Sequence, residues 1–147
     1  MTQEEKELLL KDLSARLPYE VMVSVQGNEF NSYKYPYRLT AISKFGLDSL
    51  CKVYHPIYTP FGAPNVEDIK PYLRPMSSMT EEEKKELCNI RPYFVDENGI
   101  IVGVQCNSFV QTTNCQDWLN AHHFDYRGLI EKGLAVEVTK DNNPYKE

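Results

Sequence analysis

A chain of 147 residues, 41% hydrophobic and 25% charged, has the material for one globular domain that needs neither metal nor disulfide to hold it together. Its net charge of −5 and the absence of any long Lys/Arg run leave no basic face of the kind a duplex-DNA binder presents. No apolar run approaches the roughly 18 residues that a membrane-spanning helix takes, so a soluble chain is expected.

The opening MTQEEKELLLKDL is acidic and amphipathic and lacks the basic start and apolar stretch of a secretory leader. Thr2 to Glu5 reads as a capping box, and Leu8, Leu9, Leu13 and Leu17 follow at near-helical spacing. The spacing predicts an amphipathic helix over about 2–16, ended by Pro18. YEVMVSVQGN alternates, with Val21, Val23 and Val25 on one face, and reads as a strand closed by a Gly27-Asn28 turn. YPYRLTAISKF and DSLCKVYHPIY are β-branched and aromatic and predict two more strands, joined at Gly46. A proline-rich connector follows, in which VEDIKPYLRP reads as a strand or a single turn and marks a candidate lobe boundary.

SMTEEEKKELCN repeats the capping box at Thr80 to Glu83 and predicts a short exposed helix with a Glu81–Lys85 pair. YFVDENGIIVGVQC predicts a hairpin turning at Asn98-Gly99. The last ordered block, DWLNAHHFDYRGLIEKGLAVEV, reads as a helix capped by Asn114 and then a second helix over 126–132 capped by Asp125. Gly133 is placed to end the second helix in a Schellman turn closed by Leu129 and Leu134, and a final strand carries Leu134, Val136 and Val138 on one face.

These elements give an α+β fold. It comprises an N-terminal helix, a small antiparallel sheet or SH3-like half-barrel, a short helix, a β-hairpin, and a C-terminal helix pair with a final strand. It forms a single domain over 1–147, divided, if at all, into lobes over 1–75 and 76–147.

Three patterns invite a chemical reading. His122 and His123 with Asp125 suggest a metal pair, but neighbouring helical residues project about 100° apart, whereas shared ligands sit at i,i+3 or i,i+4. Stacking on the residues four places earlier, Trp118 and Leu119, is the better expectation, with one histidine buried and hydrogen-bonded and the other at the surface. The four cysteines, Cys51, Cys88, Cys106 and Cys115, are irregularly spaced without a CxxC pair, so a zinc site is disfavoured. A Cys115–histidine nucleophile pair lacks an elbow motif and has Asp117 beside it, so buried, reduced thiols in a cytoplasmic protein are expected. Tyr33, Tyr35 and Tyr37 alternate with Lys34 and Arg38, which suits a packed sheet face first, a protein-binding strip next, and a single-stranded nucleic-acid platform last. GxGxxG and GxxxxGK[ST] are both missing, and no cofactor or metal is assigned.

LLLKDLSARLPYEVMV, IKPYLRPMSSMTEEE and DWLNAHHFDYRGLIEKGLA together resemble a family of uncharacterised proteins from gut anaerobic bacteria and their phages and mobile elements. Its members show LLLKDLCARLPYGVKV, IKPYLRPLSSMTEEE and DWLNxxHFDYRGLIxxGLA. The resemblance covers about a third of the chain and brings no activity, cofactor or catalytic residue with it. Ser14 stands where the family often has Cys, which implies a structural position. The family commonly lacks the first histidine of the pair, so the resemblance puts the weight on His123, Asp125, Tyr126 and Arg127 rather than on His122.

The functional expectation is a non-enzymatic cytoplasmic interaction or accessory module of phage or mobile-element origin, with a protein partner. Its candidate surface is Tyr33, Tyr35 and Tyr37, and its structural motif is Trp118, His123, Asp125, Tyr126 and Gly133. A hydrolase-like enzyme centred on His123 and a weak single-stranded nucleic-acid binder are the alternatives.

Overall fold

A computed structural model describes residues 1–26, 36–45, 48–56, 63–90, 93–95, 101–104 and 109–145. Helix α1 (Gln3–Arg16) starts from the expected capping box: Thr2 Oγ1 accepts from Glu5 N at 3.1 Å, and Glu5 Oε2 accepts from Thr2 N at 2.9 Å. Such a cap contributes about 1 kcal/mol. The helix buries Leu9, Asp12, Leu13 and Arg16, so two charged side chains share the inward stripe with two leucines. Leu8, Leu10 and Leu17 pack at its margins. Pro18 then sits in a 3₁₀ turn, and the chain reverses through Glu20 in the left-handed region at φ 55°.

The predicted strands form as β1 (Met22–Val25), β2 (Tyr37–Phe45) and β3 (Asp48–Tyr54), and 66–73 supplies both a 3₁₀ turn and strand β4 (Ile69–Leu73). The α+β class holds, with an N-terminal helix and a C-terminal strand, but the sheet is mixed rather than antiparallel throughout. Its order is β3-β2-β1-β4-β7, and the final strand β7 (Val136–Glu137) lies parallel to β4 through Tyr72↔Val136 and Leu73↔Glu137. β7 arrives from the second half of the chain, and sequence periodicity gives no sign of which strand it will join.

Gln26 N donates to Asp68 O at 2.7 Å, which sets the ladder phase so that Val23↔Pro71 is a pair without hydrogen bonds across β1. Pro71 therefore turns its missing N–H away from β1. β7 begins alongside Tyr72, so no ladder bond is lost there.

Helix α2 (Glu81–Ile90) begins with the second capping box, Thr80 N to Glu83 Oε1 at 3.1 Å and Glu83 N to Thr80 Oγ1 at 3.2 Å. Glu81 pairs with Lys84 at 3.1 Å, one residue earlier than expected. Strands β5 (Tyr93–Val95) and β6 (Ile101–Val104) pair antiparallel as the predicted hairpin; its Asn98-Gly99 turn, like Gly27-Asn28 and Gly46, lies outside the described residues.

Helix α3 spans Phe109–Ala121, so Asn114 is an exposed interior residue and not its cap. Cys115 and Leu119 point inward at i,i+4, and this packing carries the helix through a Thr-Asn stretch whose local preference is for turns. The second C-terminal helix does not form: 126–132 is a succession of turns.

One core gathers Leu9, Leu13, Val21, Val23, Val25, Leu39, Ile69 and Leu73 with Leu129 and Leu134. A second joins Leu87, Cys115, Leu119 and Phe124 between α2 and α3. No helix among the described residues is long and apolar enough to cross a membrane.

Candidate functional site

The histidine pair sits where α3 stops. His123 N donates to Asn120 O at 3.1 Å and Phe124 N to Leu119 O at 3.0 Å, the two bonds of a Schellman ending. His123 occupies the left-handed C′ position at φ 61°, where glycine is usual, and Phe124 closes on Leu119 in the second core. A non-glycine residue held there costs on the order of 1–2 kcal/mol. Packing repays it: the His123 ring lies parallel to the Tyr145 ring, with centroids 3.6 Å apart and planes 8° apart.

The left-handed turn also separates the two imidazoles. His122 stacks on Trp118 at 4.0 Å, and its Nδ1 meets Trp118 O at 2.8 Å, as its place four residues on predicts. His123 is half-buried, and it does not pack on Leu119. The turn swings it off the helix and under Tyr145, a partner that spacing within the block gives no means of finding. Its Nδ1 is buried without a hydrogen-bond partner among the described residues. Burial, with the Arg16, His122 and Arg74 charges adding to it, lowers its pKa from 6.5 to about 4. At neutral pH it is an uncharged ring.

Asp125, expected as a helix cap, uses its carboxylate as a turn brace. Oδ1 accepts from Leu129 N and Oδ2 from Ile130 N, both at 2.9 Å. Gly133, at φ 72°, ends these turns as expected: its N–H reaches Ile130 O at 3.0 Å, and Leu134 N reaches Leu129 O at 2.9 Å. The Schellman geometry therefore appears without the helix it was expected to end.

Tyr126 and Arg127 belong to a charge network that the sequence reading missed. Asp12 Oδ2 accepts from Arg16 Nε at 2.8 Å, and Asp12 Oδ1 accepts from an Arg127 guanidinium nitrogen at 2.9 Å. Arg127 also donates to the Tyr126 hydroxyl at 2.6 Å, which donates to Asn120 Oδ1 at 2.8 Å. Arg16 and Asp12 are fully buried, and a second Arg16 nitrogen donates to Phe124 O at 2.6 Å. The signal was present in α1: Asp12 and Arg16 stand i,i+4 on the stripe of Leu9 and Leu13. Two guanidiniums share one carboxylate, which gives a rigid joint between α1 and the block and no free acid or base.

Beside it, Arg74 grips Glu83 through both carboxylate oxygens at 2.8 Å, while its guanidinium lies 4.1 Å from the Phe124 ring centre. The two bonds from Arg74, with those from Thr80, hold the Glu83 carboxyl down at about 2. Trp118, the block's anchor, lies parallel to Phe124 at 5.8 Å and donates its indole N–H to Glu86 at 3.2 Å. Cys115 is packed in the second core with Leu87 and Leu119, and burial pushes the Cys51 thiol up to about 11. Among the described residues, no three His, Cys, Asp or Glu side chains come together as metal ligands do.

Of the three strip tyrosines, the structure describes Tyr37 alone. Tyr37 is completely buried in the main core, edge-on to His55 at 5.8 Å, and so cannot be part of a surface. At this one position the strand alternates as expected and packing wins: Tyr37 turns in and Arg38 turns out. Tyr33 and Tyr35 lie outside the described residues. An aromatic that the sequence reading passed over takes the surface place. Tyr54 on β3 is 49% exposed, registers with Arg38 across the β2–β3 pair, and has the Arg38 guanidinium 5.2 Å from its ring centre. Lys52, two residues earlier on the same face, is exposed, as is Thr40, whose hydroxyl donates to Lys52 O at 3.0 Å. In comparisons with known proteins, no family model matches the chain, and no curated protein or solved structure matches it significantly.

Proposed function

We propose that the chain is a non-enzymatic protein-interaction module, an accessory protein of a phage or mobile element working in the cytoplasm. The observation that carries this reading is the exposed Tyr54 with Arg38 stacked on it, on the outer strand pair of the sheet. Tyrosine and arginine are enriched where proteins meet: tyrosine brings a large flat contact at low entropic cost, and arginine a planar charged fork that stacks and donates several hydrogen bonds. Arg38 is shared with the exposed Glu20 carboxylate at 3.4 Å, and Lys52 adds a further positive charge to the face, so an acidic group on the partner that displaces Glu20 suits it. The free thiols of Cys51 and Cys115 support a reducing compartment.

The hydrolase-like alternative draws little from the site, since the polar groups around His123 are spent on Asp12, Asn120 and backbone amides. The nucleic-acid alternative loses the Tyr37 ring from its stacking strip.

The test is an affinity pull-down from the native host, comparing the wild-type chain with Tyr54→Ser and with a Tyr33→Ser/Tyr35→Ser pair. A protein recovered at stoichiometric yield, weakened by salt, and lost with Tyr54→Ser at unchanged melting temperature is the expected result. Recovery that is indifferent to all of these changes, or no protein above background, removes the reading.

A further inference from the structure

The β1–β4 ladder sets up a rung that it does not close. The bond from Gln26 N to Asp68 O and the register Ser24↔Lys70 make Met22 and Tyr72 the next hydrogen-bonded pair. There Met22 N donates to the Tyr145 hydroxyl at 3.1 Å, and that hydroxyl donates to Tyr72 O at 2.8 Å. The phenol is inserted into the rung, and its ring lies flat on His123 at 3.6 Å. Tyr145 N donates to the Asn143 side chain at 3.0 Å, a local turn that presents the ring. The preceding residues 139–142 are exposed, and Asn142 bonds within that stretch and to Glu137. One side chain thus seats an otherwise exposed segment.

We propose that this seat is a recognition site for a tyrosine side chain on an Asn-Pro-Tyr turn, filled in cis by Tyr145 and taken by a partner's tyrosine when the 139–145 segment lifts away. The seat offers one donor, one acceptor and one flat uncharged ring, which together match a phenol. A phenylalanine leaves Met22 N–H and Tyr72 C=O unpaired, and that penalty falls on partly buried backbone groups. A phosphotyrosine sets a dianion against the Tyr72 carbonyl. The inference does not depend on the Tyr54 surface, so the failure of either leaves the other standing.

The test uses the full chain carrying Tyr145→Ala, with p-cresol as the side-chain probe and toluene as its counterpart without the hydroxyl. Saturable p-cresol binding is expected, raising Tm by about 3–6 °C at ten times its Kd, with a much smaller effect of toluene. The wild-type chain, its seat filled, shows no such shift. A peptide of sequence Asp-Asn-Asn-Pro-Tyr-Lys-Glu is expected to bind the variant about ten-fold more tightly than its Phe form. A folded variant on which p-cresol and toluene act alike overturns the proposal, as does an equal p-cresol shift in the wild-type chain. If Tyr145→Ala does not fold alone, recovery of its far-UV circular dichroism on adding p-cresol supports the proposal, and failure to recover it overturns it.

Discussion

Replacing Asp12 by Asn tests whether the buried charge network is the joint that the geometry describes. Both Asp12 oxygens are engaged, by Arg16 at 2.8 Å and Arg127 at 2.9 Å, and the Asp12 and Arg16 side chains are fully buried. Asparagine keeps the shape and one acceptor but removes the charge, leaving the Arg16 guanidinium in a dry interior with no counter-ion. Breaking one side of such a pair costs about 3–5 kcal/mol, because the remaining charge is not rehydrated. Arg127, with a side chain 15% exposed, adds little, since water can reach it. A loss near the lower end, about 3–4 kcal/mol, is therefore expected. For a chain of this size that is a fall in Tm of about 6–16 °C and a large part of a total stability of about 5–15 kcal/mol. Urea unfolding followed by circular dichroism reads it as a lower midpoint at constant slope. The double change Asp12→Leu/Arg16→Met removes both charges and is expected to recover part of the loss, because their desolvation cost goes with them while Phe124 O and Arg127 lose their partners. If Asp12→Asn costs less than about 1 kcal/mol at unchanged slope, Arg16 is finding other compensation and the joint has been misread.

Two further outcomes follow from the same block. His123 titrates at about 4 in the fold against an ordinary 6.5, so the unfolded chain takes the proton first as pH drops. Its contribution is complete above pH 6.5, is lost as pH falls from 6.5 to about 4, and levels off below that, a total on the order of 2–3 kcal/mol given its partial exposure. His123→Asn tolerates the left-handed turn and is expected to flatten the difference in stability across that window; parallel pH curves for both chains would rule the assignment out. Glu83, held at about 2 against 4.5, produces a separate loss at lower pH that both chains share. Asp125→Ala removes acceptors from Leu129 N and Ile130 N, and about 2–4 kcal/mol of stability is expected to go with them. Amide exchange at those two residues is expected to speed up more than at Leu119 or Leu73, and uniform protection across all four would contradict the bracing role.

The sequence was most legible where a pattern is closed locally. Both capping boxes, the buried Val21, Val23 and Val25 at and just before β1, and the Schellman turn at Gly133 need nothing beyond their own few residues, and all are present. It was least legible where a distant partner decides. Tyr37 follows Pro36 in a run of alternating aromatics, and the alternation alone does not say whether its face meets the core or a partner; the core of Leu9, Val23 and Leu39 decides it. Nothing next to Arg16 in the chain marks it as buried at the end of its helix. Its place on the buried stripe is explained by Asp12 and by Phe124 O, the latter 108 residues away. His123 misled because it fills a glycine position: a left-handed C′ residue without glycine leaves no mark in the sequence.

That same histidine shows why the block looks like a site and is built as a connection. Two Schellman endings follow one another, the first closed by Phe124 on Leu119 and the second by Leu134 on Leu129. Each reverses the chain and returns it to β4. After the first, Arg74 pairs in parallel with Phe124, through Arg74 N to His123 O and Asp125 N to Arg74 O, both at 2.8 Å. After the second, Val136 and Glu137 run parallel to Tyr72 and Leu73, and Val138 N reaches Leu73 O at 2.8 Å. A parallel neighbour demands a crossover, and here two tight turns and a braced loop supply it in place of a second helix. The charges accumulate at this crossing because carbonyls and amides freed by the turns have to be met. Arg16 meets Phe124 O, and Asp125 meets Leu129 N and Ile130 N. The residues that look catalytic are those that satisfy the backbone of a sharp double return.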